Sequence, residues 1–180
     1  MTPDLKFCQR CGHALDLREV ESRERPYCPD CGFVVFLDPK LAAVVLVRRD
    51  GDLVLVRRAI QPAIGRWSFP SGYVDRNEVV EDAARREVKE ETGLDVRLDG
   101  FVGLYSSSDS PVVLAVFSAV ITGGELQAGQ EAQEVGTFTL EELPPLPFPH
   151  DERILRDWRA LESREGVAGV PPPLTMPKPP

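Results

Sequence analysis

Apolar positions along the chain follow two rhythms. From Leu41 to Val47 they run unbroken (Leu-Ala-Ala-Val-Val-Leu-Val), which is strand length. Arg49-Asp50-Gly51-Asp52 follows, and Asp-Gly is a strong hairpin-turn signal, so Leu53 to Val56 reads as the returning strand. Trp67-Ser68-Phe69-Pro70 reads as a short strand or loop. Residues 78–92 contain no Pro or Gly and are rich in Ala, Glu, Arg and Lys, which predicts a helix. Asn77 is its expected N-cap and Gly93 its expected stop. Strands are expected around 96–104 and 112–121, with a weaker one around 135–139. Ile154, Leu155, Trp158 and Leu161 form one apolar stripe, which predicts a second helix over 151–162. Strands mixed with two helices, and one tight hairpin, imply a mixed sheet with helices on its faces, of the α/β or α+β class.

The ends of the chain differ from this middle. Residues 1–38 have few long apolar runs and could not build an adequate core alone; Asp38-Pro39 reads as the linker that follows. The expected organisation is a small N-terminal module over 1–38, a main domain over 39–165 and a Pro-rich disordered tail over 166–180, which holds Pro171-Pro172-Pro173 and Pro177. There is no internal repeat. A chain of 180 residues suits one ordinary domain with an appendage.

Charge narrows the partners. The net charge of −8 repels phosphate backbones at long range, so no nucleic-acid partner is expected. A small anionic substrate remains compatible, because a metal ion or a local Arg cluster reverses the field. No basic start precedes an apolar run, and no stretch reaches membrane-spanning length, so the expected compartment is the cytoplasm and no membrane partner is expected.

All four cysteines lie in the first 31 residues, as Cys8-x-x-Cys11 and Cys28-x-x-Cys31 with sixteen residues between the pairs. Two C-x-x-C turns can present four thiolates to one tetrahedral Zn²⁺. Gly12 and Gly32 follow the second Cys of each pair, where glycine lets the turn curl so that backbone N–H groups face the sulfurs. Two disulfides or four unrelated thiols are the alternatives, and the spacing favours a structural zinc. Four protein ligands leave no open position for catalysis. A nucleic-acid role for this module is disfavoured by its charge: Lys6, Arg10, Arg18, Arg23, Arg25 and Lys40 face Asp4, Asp16, Glu19, Glu21, Glu24, Asp30 and Asp38, a balance of −1 over residues 1–40.

The predicted helix at 78–92 carries a cluster of carboxylates. At about 100° per residue, Glu87, Glu90 and Glu91 fall within an arc of about 100°, with Ala83 one turn earlier on the same arc. Like charges at these spacings cost a helix roughly 0.2–0.5 kcal/mol per pair. They also sit near the end where the helix dipole disfavours anions. A solvated acidic face is the ordinary fate of such a run. A divalent cation removes both penalties, and Mg²⁺ favours hard oxygen ligands shared with substrate phosphates.

The segment from Gly72 to Leu94 resembles the Nudix box, G-x5-E-x7-R-E-U-x-E-E-x-G-U with U aliphatic. Gly72, Glu78, Arg86, Glu87, Val88, Glu90, Glu91, Gly93 and Leu94 fill every fixed position. The strand over 53–58, the Trp67-Ser-Phe-Pro approach and the segment from Glu131 to Leu143 are similar to the family too, so the resemblance spans roughly residues 5–162. Ser71 departs from it, since many members have a second glycine there. The N-terminal module looks like the zinc ribbon of Nudix proteins grouped with ADP-ribose, FAD and NADH pyrophosphatases.

The resemblance implies a Nudix-type mixed sheet between helices and a metal-dependent hydrolase using Mg²⁺ or Mn²⁺. It implies Glu87, Glu90 and Glu91 as metal ligands, helped by the Gly72 carbonyl. Arg86 would hold a glutamate in place, and Glu78 would lie beside or support the cluster. A late carboxylate is implied at Glu131, with Glu134 second. Either Glu90 or Glu131 would act as general base. Arg57, Arg58 and Arg66 are candidates for gripping a nucleotide substrate. A homodimer is compatible with this reading.

The substrate motifs are incomplete. The window Tyr105-Ser-Ser-Ser-Asp-Ser-Pro111 does not fit the S-Q-P-W-P-F-P-x-S signature of NADH pyrophosphatases. Pro147-Phe148-Pro149 matches part of it but lies too late. Pro111 is out of register with the proline typical of ADP-ribose hydrolases. The expected reaction is hydrolysis of the diphosphate bridge of an ADP-ribose-like or FAD-like substrate to AMP and a second monophosphate. The alternatives are a nucleoside triphosphate pyrophosphatase and a nucleotide-sensing regulator without catalysis.

Overall fold

A computed structural model of the chain describes residues 5–165, so the expected tail at 166–180 lies outside the described residues. The chain divides into two compact units. One contains the residues up to Pro39 together with Ser107–Pro111; the other contains Lys40–Ser106 and the chain from Val112 onward.

The first unit is built from two matching turns and a hairpin. In one turn the Cys8 N–H donates to the His13 carbonyl at 2.7 Å and the Gly12 N–H to the Cys8 carbonyl at 2.9 Å. The other repeats this with Cys28 to Phe33 at 2.8 Å and Gly32 to Cys28 at 3.0 Å. Gly12 and Gly32 are both left-handed, with φ of 78° and 71°. Between the turns, β1 (Asp16–Val20) pairs antiparallel with β2 (Arg23–Tyr27). The hairpin was not expected from the sequence. Its turn residues, Glu21 and Ser22, take positive φ without the Gly or Asn that normally signals it.

The second unit holds one seven-stranded mixed sheet. Its strands are β3 (Lys40–Arg49), β4 (Asp52–Arg58), β5 (Trp67–Ser68), β6 (Ser71–Tyr73), β7 (Leu94–Tyr105), β8 (Val112–Gly124) and β9 (Ala132–Phe138). Asp50-Gly51 makes the expected two-residue turn, with Arg49 opposite Asp52. Strands β3 and β8 are parallel and the other pairings are antiparallel.

Helix α1 (Val80–Thr92) packs on one face of the sheet and α2 (Asp151–Glu165) on the other. The unbroken apolar run in β3 follows from this burial on both faces. Ala43, Val45 and Val47 join Ala83, Ala84 and Val88 of α1, whereas Val44 and Leu46 join Ile154 and Trp158 of α2. Among the described residues no helix is long and apolar enough to cross a membrane.

Helix α1 starts two residues later than the sequence suggests. Asn77 is left-handed, with φ of 68°, and Val79 occupies the N-cap without a side-chain bond. Glu78 belongs to the preceding turn, where its N–H donates to the Asp75 carbonyl and its carboxylate accepts the Asp75 N–H. Gly93 ends the helix as expected, with φ of 73° and its N–H on the Lys89 carbonyl.

Candidate active site

The carboxylates of α1 are sorted by depth. Glu91 lies in the middle of the buried face and is 4% exposed; Glu87 is half-buried and Glu90 exposed. Burial, with the nearby charges of Glu87 and Glu131, pushes the Glu91 carboxyl up to about 8. The Ser71 N–H, at 2.9 Å, and the charge of Arg58 oppose that rise. Burial also raises Glu87; Arg86 opposes this, and Glu90 and Glu131 add to it. Ser71, which departs from the common second glycine, thus serves through its backbone.

Gly72 on β6 lies directly under Glu87. A Cβ there would sit 2.1 Å from the Glu87 Cδ and 2.2 and 2.3 Å from its two oxygens, so no side chain fits. This contact sets the Glu87 carboxylate against the β6 backbone.

Arg86 ties the cluster together. Its Nε and Nη2 donate to Glu78 at 2.7 and 2.9 Å, a bidentate pair. Its Nη1 donates to Glu87 at 2.7 Å and Glu90 at 3.2 Å, and Nη2 also reaches the Tyr73 carbonyl at 3.1 Å. The hydrogen bonds from Arg86 hold the Glu78 carboxyl down at about 2. Glu78 therefore acts as the anchor of Arg86, and Arg86 orients Glu87 and Glu90.

The late carboxylates separate. Glu131 is close enough for its charge to act on both Glu87 and Glu91, whereas Glu134 pairs with Arg57 at 3.5 Å. The three candidate arginines separate as well. Arg57 donates to the Gly65 carbonyl and is exposed, as is Arg66. Arg58 is 8% exposed, donates Nε to the Pro62 carbonyl at 2.7 Å, lies 5.6 Å from the centre of the Phe148 ring, and acts on Glu91. Only Arg58 of the three is drawn into the carboxylate cluster. The sequence had not marked Phe148 as its neighbour, or Tyr73, which contributes only a carbonyl.

In the first unit the four thiols converge. Cys8 and Cys31 sulfurs are 3.7 Å apart, Cys11 and Cys28 3.5 Å, and all four lie within 4.8 Å of one another. A disulfide needs about 2.05 Å. A tetrahedron with Zn–S of about 2.3 Å has edges of about 3.8 Å. The thiols are thus spaced for one zinc ion and not for disulfides. The Arg10 N–H points at the Cys8 sulfur at 3.4 Å. Burial opposes ionisation of Cys8, but this N–H, that of Cys11 and the neighbouring thiols bring its pKa down to about 7.

Comparison with known proteins agrees with both units. The NUDIX domain family matches residues 38–158, and the Nudix N-terminal zinc-ribbon family matches residues 6–36. The chain belongs to the Nudix family. It is 38% identical over 128 residues to an ADP-ribose pyrophosphatase of Methanocaldococcus jannaschii, covering 69% of this chain and 75% of that one. It is 32% identical over 143 residues to an NAD-capped RNA hydrolase of Stutzerimonas stutzeri, covering 79% of this chain but 51% of the other, so it spans about half that protein's length.

Among solved structures, a Nudix hydrolase from Nitrosomonas europaea superposes with a TM-score of 0.81 at 29% identity, over 93% of this chain and 95% of the other. An ADP-ribose pyrophosphatase from Streptococcus suis superposes with a TM-score of 0.60 at 30% identity, over 68% and 92%. This Nudix protein is accordingly a pyrophosphohydrolase, with a zinc-ribbon-like module preceding its mixed sheet.

Proposed function

We propose that the protein hydrolyses the diphosphate bridge of ADP-ribose or a FAD-like dinucleotide, releasing AMP and a second monophosphate. The similarity to the Methanocaldococcus jannaschii ADP-ribose pyrophosphatase carries this reading, since it covers most of both chains. Glu87, Glu90, Glu91 and the backbone of Gly72 form a hard-oxygen donor set suited to Mg²⁺ or Mn²⁺. The ion would supply charge neutralisation of the diphosphate and make water easier to deprotonate.

The protein's own groups do the rest. Arg86 holds Glu87 and Glu90 in position from its anchor on Glu78. Glu131 or Glu90 takes a proton from the attacking water. The water oxygen bonds to one phosphorus, the bridging P–O bond breaks, and each phosphorus leaves as a monophosphate. Arg58, held by Pro62 and Phe148, offers positive charge to the substrate phosphates. The cysteine cluster carries a structural zinc.

A second reading, an NAD-type substrate, is favoured by the NAD-capped RNA hydrolases among the relatives. A panel of ADP-ribose, FAD, NADH and dGTP with Mg²⁺ or Mn²⁺, with products separated by chromatography, distinguishes them. AMP release from ADP-ribose or FAD at the highest kcat/KM is expected. Faster release from NADH supports the second reading, and far faster hydrolysis of dGTP would overturn both.

A further inference from the structure

Beyond the box, a short strap of chain runs from the end of β8 to the start of β9, residues 125–131, along the last turn of α1. Its amides cap the helix: the Gln127 N–H donates to the Thr92 carbonyl at 2.9 Å, and the Gly129 N–H to the Glu91 carbonyl at 3.1 Å. These satisfy carbonyls that a helix end leaves without an internal partner. Leu126 packs against the core under α1.

At Gly129 the approach is closest. A Cβ there would lie 1.7 Å from the Glu90 carbonyl oxygen, 2.9 Å from the Glu90 carbonyl carbon and 3.3 Å from the Glu91 Cα. All three are backbone atoms of a hydrogen-bonded helix, so they cannot swing aside as a side chain would. Gly129 is not among the positive-φ residues, so contact, and not backbone conformation, excludes a side chain. Two residues later stands Glu131, whose carbonyl accepts the Ala59 N–H at 2.9 Å. The strap is thus registered on the backbone of Glu90 and Glu91, the residues whose side chains belong to the candidate site.

We propose that Gly129 is a positioning residue for the reaction: its bare Cα lets the strap lie on the Glu90–Glu91 backbone, and that contact sets where the Glu131 carboxylate stands relative to Glu87 and Glu91. This rests on the diphosphatase reading above. A side chain at 129 lifts the strap and carries Glu131 away, while Arg58 stays held by Pro62 and Phe148. The loss therefore falls on kcat and not on KM. Ordinary packing at 129 would lower stability without passing through Glu131.

The test is a double-mutant cycle of Gly129→Ala and Glu131→Gln on the substrate preferred in the panel, with amide hydrogen exchange on the same proteins. Gly129→Ala should lower kcat on the order of 10- to 100-fold and leave KM within about twofold. In the Glu131→Gln background it should cost no more than about twofold further. The Gln127 amide should lose protection while the Val88 amide keeps it. If Gly129→Ala does not fold, Leu126→Ala loosens the strap without bulk at 129 and should show the same sub-additivity with Glu131→Gln.

Additive losses in either cycle, or an unchanged kcat in Gly129→Ala, would overturn the proposal while leaving the diphosphatase reading intact. Wild type that turns over nothing in the panel sinks that reading and this one together.

Discussion

Glu91 is a carboxylate the fold has drawn out of water, 4% exposed and pushed up to about 8. Such burial raises the folding cost of its charged form. Replacing it with Gln keeps its shape and its bond from the Ser71 N–H. Metal-free Glu91→Gln should therefore melt at or above the wild-type temperature while its turnover falls at least about a hundredfold. Glu90→Gln, on the exposed flank, should lose turnover with unchanged melting. Turnover against Mg²⁺ concentration, beside thermal unfolding without metal, checks both; wild-type turnover or failure to fold would contradict the assignment. The nine box residues were legible because side-chain chemistry at fixed spacing is what a sequence records. Their unequal depth was not, since Glu87, Glu90 and Glu91 share one arc until the sheet decides which of them points inward. Ser71, Tyr73 and Gly129 contribute an amide, a carbonyl and a bare Cα, and no residue type announces such roles.

At the scale of elements, the long strands and both helices follow from periodicity with errors at their ends, whereas the β1–β2 hairpin and the three-residue β6 carry no such pattern. Helix α1 begins at Val80 and not Glu78 because the Glu78 carboxylate is already committed to Arg86 and the Asp75 N–H. The start of α2 has its own chemistry. Asp151 is buried, and its carboxylate accepts the Phe148 N–H at 2.8 Å. Burial raises its pKa to about 6, against the opposing pull of that N–H. An acid raised in the fold contributes stability that is complete below its unfolded value near 4 and lost as pH climbs through about 6. That rise corresponds to about 3 kcal/mol. Asp151→Asn keeps an oxygen for Phe148 and does not titrate. Denaturant midpoints should thus match wild type near pH 3 and exceed it at pH 7.5. A gap that does not change with pH would refute the burial argument.

At the scale of the whole molecule, the two units are held by different physics. The second unit buries apolar clusters on both faces of one sheet, enough for a fold that needs no ion. Among the described residues of the first unit the buried ones are Cys8, Pro26, Cys28 and Val35, so two of the four are cysteines. Two cation–π contacts, Arg18 on Tyr27 and Arg25 on Phe36, are worth about 0.5–1 kcal/mol each at exposed sites. They cannot replace a core. Zinc–thiolate bonds, contributing on the order of 10–16 kcal/mol in isolated zinc-finger peptides, can. Purified protein should therefore carry about one zinc per chain. Changing Cys8 and Cys28 to Ser removes one thiolate from each turn and should abolish that zinc. Amide protection should then vanish between residues 6 and 36 and persist in β3, β4 and α1. Metal analysis and hydrogen exchange on the same sample read the two halves separately. Full zinc retention in the double variant would show that the sulfurs are not the ligands. Loss of protection across β3 would show instead that the sheet depends on the ribbon's metal, against the evident sufficiency of its own two cores.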